Sequence, residues 1–121
     1  MEIAYSGSSA IGYEQVRLPN PERAIVDIAK LKDYCLDTEH EDGKHKARVF
    51  AAVLGVRLGD ADWRQERLRE AAFGEATQSF TNEFGTLYVV DFRMSTSHGE
   101  ATVRSHWIVR IGEDFPRLTR K

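Results

Sequence analysis

Between residues 24 and 74 apolar side chains recur every three or four positions, and beyond residue 84 they recur every second one. That change of period predicts helices followed by strands. Ile28, Leu31, Tyr34 and Cys35 mark a first helical stripe, opened by Asp27 as N-cap and closing near Leu36. A second helix is predicted from Lys44 to Leu54, with Ala47, Phe50, Ala51 and Leu54 facing inward and Gly55 at the C′ position. Asp60 or Asp62 can cap a third, running through Trp63, Leu68, Ala71 and Ala72 and stopped by Gly74.

Phe84–Arg93 and Ala101–Ile111 alternate and flank the turn Ser97-His98-Gly99-Glu100, which predicts a long hairpin. In its second strand Ala101, Val103, Ser105, Trp107, Val109 and Ile111 share one face, and Thr102, Arg104, His106, Ile108 and Arg110 share the other. Gly112-Glu113-Asp114 reads as a further turn and Pro116–Arg120 as a last edge strand, where an initial proline is tolerated. In that strand Leu118 points opposite to Arg117 and Thr119. Residues 1–23 lack a period and contain Gly7, Gly12 and Pro19-Asn20-Pro21. They read as a flexible lead-in with one short strand around Tyr13–Leu18, ahead of a single domain over 24–121. The expected fold is α+β, with N-terminal helices packed on the Trp107 face of an antiparallel sheet of three to four strands.

A chain of 121 residues with 41% hydrophobic content supports one modest core, to which Trp63, Trp107, six phenylalanines and four tyrosines can contribute. The net charge of -2 does not point to a nucleic-acid or membrane binder. The charge is uneven, however: Ala101–Lys121 carries five basic against two acidic residues, and residues 1–100 carry 12 basic against 17 acidic. A local anion site is therefore compatible with the total. The lone Cys35 lies in the apolar register of the first helix and excludes a disulfide framework within one chain. With no apolar run of signal or membrane-span length, the expected location is cytoplasmic with no membrane partner.

The candidate chemistry concentrates in His40-Glu-Asp-Gly-Lys-His-Lys-Ala-Arg-Val-Phe50, a loop running onto the second helix. General acid-base work and phosphate contact use these residue types. Placing the segment on a loop-to-helix junction leaves His40 in the loop and Lys46 at the helix edge, with Lys44, His45 and Arg48 as surface. His40-x4-His45 with Glu39, Glu41 and Asp42 lacks the spacing of a metal motif, so neither metal nor cofactor is expected.

Five blocks in order resemble a small bacterial family of unknown function. They are Lys30-Leu31-x-x-Tyr34-x-Leu36, His40-x-x-Gly43-x-x-Lys46-Ala47-x-x-Phe50, Phe84-Gly85-x-x-Tyr88, Trp107-Ile108-Val109 and Pro116-Arg117-Leu118-Thr119. The match covers roughly Ile25 to Thr119. The family in turn looks like the metal-independent RNA-cleaving nucleases of the barnase–EndoU–colicin–RelE group, found in phage and toxin systems. That likeness implies a toxin-type or phage-associated RNase, with RNA as substrate and an antitoxin or immunity protein as partner. Ser105 stands where the family usually has threonine, and His106 is unusual at its position.

Metal-free RNA cleavage needs a base, an acid and cations for the developing charge on phosphorus. His40 is then the acid or base, Lys46 and Arg117 bind phosphate, and Ser105 or Thr119 orients it. Each has a plainer reading: His40 as a loop cap, Lys46 as a snorkelling lysine, and Arg117 as the partner of Asp91 or Glu100. Arg104, His106 and Arg110 form a row that reads either as solvated strand residues or as part of the site. The alternative function is a non-enzymatic interaction module of the antitoxin or immunity type, which the net negative charge favours, or a degenerate relative of the nucleases. The sequence fixes no oligomeric state.

Overall fold

The computed structural model describes residues 2–4, 15–27, 29, 44–55 and 60–119. Strands β1 (Glu2–Ala4) and β2 (Gln15–Arg17) come first, followed by a 3-10 turn at Pro21–Arg23. Helices α1 (Lys44–Leu54) and α2 (Ala61–Ala71) precede β3 (Glu75–Asn82), β4 (Gly85–Ser95), β5 (Glu100–Arg110) and β6 (Arg117–Leu118). The strands form one antiparallel sheet in the order β1-β5-β4-β3-β2, and β6 shares the outer edge of β5 with β1.

The α+β class is as expected, and two of its details differ. Among the described residues the sheet has six strands rather than three or four, and two of them precede the helices. Both early strands come from residues 1–23, read from sequence as a flexible lead-in. The strand expected near Tyr13–Leu18 is β2, which pairs with Glu75–Thr77 of β3. Strand β3 was not expected at all. Only Ala76 in it is buried, so it lacks the alternating apolar signal that marks the other hairpin strands.

The bounds of α1 match the pattern that predicted them, and Gly55 closes the helix at φ +68. A hairpin turn finishes the same helix end. Thr96 Oγ1 donates to the Leu54 carbonyl at 2.7 Å, and His98 Nε2 lies 3.1 Å from the Ala52 carbonyl oxygen. Those carbonyls belong to the last turn, which has no intrahelical partners of its own. A Cβ on Gly55 would come 2.8 Å from His98 Cβ, so the glycine also lets the two elements approach. At the other expected helix, Asp27 Oδ1 accepts from the Ala29 backbone N–H at 2.9 Å, as a capping carboxylate does. Apart from Ala29, the helix predicted over 28–36 lies outside the described residues.

The core sits between the helices and one sheet face. Leu54 from α1, Leu68 and Ala72 at the end of α2, and Val90, Val103 and Trp107 from the sheet are all essentially inaccessible. Trp63, expected in the core, is 41% exposed instead. Its ring is flanked by the Arg64 and Arg67 guanidiniums, 4.2 and 5.4 Å from its centroid. Arg64 takes the inward position, four residues before Leu68. It is buried with its guanidinium against Met94 Sδ, and its Nε and Nη2 find no hydrogen-bond acceptor among the described residues. Burial pushes its pKa down to about 10.

Candidate functional site

Alternation along β5 decides which candidates can share a surface. Ala101, Val103, Ser105 and Trp107 are buried under the helices, and Thr102, Arg104, His106 and Ile108 line the opposite face, half-buried. Ser105 is thereby committed to the core. Its hydroxyl donates to the Val90 carbonyl at 2.8 Å and accepts from Trp107 Nε1 at 2.9 Å. Both are structural bonds made inside the protein, on the side away from His106.

Thr119 falls on the other side. Strand β6 pairs Leu118 with Trp107 and Arg117 with Ile108, and Thr119 continues past it, donating from its backbone N–H to the His106 carbonyl at 2.8 Å. Leu118 is buried, so its neighbours Arg117 and Thr119 lie with His106 on the face opposite α1 and α2. In register terms Thr119 adjoins His106 across the strand pair, and Arg117 is one same-face step away, about 7 Å along the strand. Of the two hydroxyls proposed from sequence, only Thr119 reaches this face. Lys46 lies in the first turn of α1, but its side chain is outside the described residues, as is all of His40.

Arg117 is held in place from three directions. Its Nε and Nη2 donate to the two carboxylate oxygens of Glu113, both at 2.8 Å, in a fork that leaves out Nη1. The partner is neither Asp91 nor Glu100, as the sequence suggested, because the register assigns those elsewhere. Asp91 takes Arg104 and Glu100 takes Arg93. On the other side Ile25 clamps the tail, donating to the Pro116 carbonyl and accepting from Leu118 N–H. Phe115 fills the gap between Arg23 and Arg117, whose guanidiniums sit 4.8 and 5.2 Å from its ring centroid.

The pair shifts the titration of both partners. Hydrogen bonds from Arg117 hold the Glu113 carboxyl below its usual 4.5, and Glu113 raises the Arg117 guanidinium in turn. A depressed carboxylate stabilises the fold above its unfolded pKa, and the contribution is lost as pH falls through the lowered value. A carboxyl NMR titration should therefore find the Glu113 midpoint below 4.5 in the wild type and back toward it in Arg117→Ala. Equal midpoints in both proteins would dismiss the pair as a determinant of the tail.

Among the described residues no three His, Cys, Asp or Glu side chains group as a metal site. No helix among them is long and apolar enough to cross a membrane. Sequence reading missed Arg64. The signal was its position four residues before Leu68, on the stripe that also holds Ala71 and Ala72.

Among the described residues the fold is an α+β domain with α1 and α2 on one side of an antiparallel sheet and a mixed face of Thr102, Arg104, His106 and Ile108 on the other. The chain belongs to the family described as Domain of unknown function (DUF6883), whose model matches residues 17–120. No curated protein and no solved structure matches it.

Proposed function

We propose that the sheet face opposite α1 and α2 is the active surface of a metal-independent, RNase-like domain of the toxin or phage-associated kind, acting on RNA phosphodiester bonds in the cytoplasm. The observation that carries this reading is the β5–β6 register, which brings His106, Thr119 and Arg117 together on the face away from the helices. In the reaction the ribose 2′-oxygen attacks phosphorus while a base removes its proton. The bond to the 5′-oxygen breaks, and an acid protonates the leaving oxygen, giving a 2′,3′-cyclic phosphate and a 5′-hydroxyl. His106 takes one proton-transfer role and His40 the other. The Nη1 edge of Arg117, with Lys46, neutralises the charge that develops on phosphorus. Thr119 orients the phosphate, and Ser105 supports the sheet beneath.

The test is cleavage of an end-labelled single-stranded RNA by the purified chain in the presence of a chelator. Wild type should yield cyclic-phosphate ends, and His106→Ala should slow cleavage by about 10²–10⁴-fold, the usual worth of a positioned acid or base. Expression in bacteria without neighbouring genes should be toxic for wild type and less so for Lys46→Ala. An inert wild type in both assays overturns the reading.

A second reading is a non-enzymatic partner of the antitoxin or immunity type. What favours it is that Arg93, Arg104 and Arg117 each form an ion pair with a carboxylate of this chain, which spends much of the face's positive charge internally. An inert wild type that binds a separate protein through this face would favour it.

A further inference from the structure

We infer that Asn20 and Arg23 are positioning residues for Arg117, fixing from outside the β5–β6 pair where its guanidinium stands on the face opposite α1 and α2. The segment 20–25 runs along the edge of β6 that faces away from β5. Asn20 Nδ2 donates to the Asp114 carbonyl at 2.6 Å. Ile25 donates to the Pro116 carbonyl at 2.9 Å and accepts from the Leu118 N–H at 3.0 Å, a parallel bridge centred on Arg117. All three bonds fall on the main chain of residues 114, 116 and 118. The side chains between them contact one another instead. Glu113 forks Arg117, and the Phe115 ring centroid lies 5.2 Å from the same guanidinium. Arg23 grips both sets, bonding Asp114 Oδ1 at 2.7 Å and lying 4.8 Å from the Phe115 ring centroid.

Asn20 holds this arrangement in a conformation that its backbone does not prefer. At φ 43 and ψ 56 it is the one non-glycine with positive φ among the described residues. Asparagine tolerates the left-handed region better than most residues, yet the following Pro21 biases it toward extended backbone. Strain of this kind persists only where the surroundings over-determine it, and it concentrates at functional sites. A turn formed for its own sake would need only the bond that closes it, from the Arg23 N–H to the Asn20 carbonyl. The Asn20 side chain reaches further, to a residue 94 positions along the chain that separates Glu113 from Phe115.

The fork makes this bracing matter. With Nε and Nη2 committed to Glu113, the Nη1 edge is placed only as well as that carboxylate is. Glu113 follows Gly112, whose φ is +82, in a turn closed by the bond from its N–H to the Arg110 carbonyl. Asn20 and Arg23 brace the far end of that turn at Asp114.

Asn20→Gly removes the amide and leaves a backbone that adopts positive φ freely, so it should stay folded. Asn20→Ala removes the same amide and strains the turn. In a carboxyl NMR titration both should move the Glu113 midpoint from its lowered wild-type value toward 4.5, although only the alanine variant should lose much stability in urea. Arg23→Lys keeps the charge and loses the planar stack on Phe115, so it should give a smaller move in the same direction. Solvent exchange of the Arg117 Nε–H should quicken by about tenfold in Asn20→Gly, roughly the worth of one hydrogen bond. A residue that only shapes its own turn would alter stability and leave both readings at their wild-type values. A folded Asn20→Gly in which either reading is unmoved overturns the proposal. The catalytic consequence rests on the RNase reading: kcat should fall by about tenfold in Asn20→Gly with KM little changed, since Arg117 acts on charge that develops in the transition state. An inert wild type removes the RNase reading alone and leaves the two NMR readings to decide the role of Asn20.

Discussion

Trp107→Ala should cost about 3–5 kcal/mol, the range for removing a large buried aromatic side chain. A domain of this size has roughly 5–15 kcal/mol to lose, so the variant should stand near the edge of folding at room temperature. The expectation rests on the place of Trp107 at the centre of the core. It is inaccessible, packs in one cluster with Leu54 of α1 and Leu68 of α2, and ties β5 to β4 through Ser105. Truncation opens a cavity and strips the Ser105 hydroxyl of its donor. Ser105→Ala should be milder, about 1–3 kcal/mol, because it leaves the indole N–H and the Val90 carbonyl without that partner and keeps the packing. Urea unfolding followed by circular dichroism measures both. A Trp107→Ala cost below about 1 kcal/mol would mean that the helices do not seal this face.

Gly85→Ala should be as damaging for a different reason. Gly85 has φ +153 and opens β4, opposite Arg110 of β5. A methyl group there would sit 2.2 Å from the Val109 carbonyl oxygen and 2.8 Å from Arg110 Cα, both backbone atoms of a central strand. Neither can move without breaking the β4–β5 ladder. Strain at such a φ and forced overpacking each cost about 1–3 kcal/mol, which together predicts a loss of about 3–5. Gly112→Ala is the control. Gly112 also has positive φ, at +82, but a Cβ there meets nothing within 4 Å. Only the conformational cost of about 1–2 kcal/mol should appear. Equal losses at the two glycines would show that φ, and not the close approach of β5, sets the penalty.

The elements that could be read from sequence were those whose local chemistry repeats their tertiary role. Helix α1 ends at a glycine that does adopt the left-handed conformation. Strand β5 alternates because one of its faces is buried along its length. Strand β3 gave no such signal, since its exposure on both faces removes the alternation. Trp63 shows the opposite case, in which an apolar residue type met an outward helical position and was covered by arginines.

The site divides along the same line. Residue types named the groups at the end of the chain, but only pairing register could choose Thr119 over Ser105 or give Arg117 its carboxylate. Glu113 precedes Arg117 by four residues in a turn, and no periodic pattern connects them. His40 and the Lys46 side chain, which carry half of the proposed chemistry, lie outside the described residues.

The sheet is also ordered in an unusual way with respect to time. Its flanking strands β1 and β2 are synthesised first, and the inner strands they need, β5 and β3, are synthesised long afterward. Glu2 finds its partner at Arg104, about a hundred residues later. Loops that long must close before their contacts contribute anything, which places the domain among slow folders. The nascent chain therefore carries two short strands with no place to dock, β2 until β3 has been made and β1 until β5 is complete. Deletion of residues 1–4 should then affect the folding rate less than the behaviour of the finished protein, because it bares the β5 edge at Thr102–Arg104 to pairing with other chains.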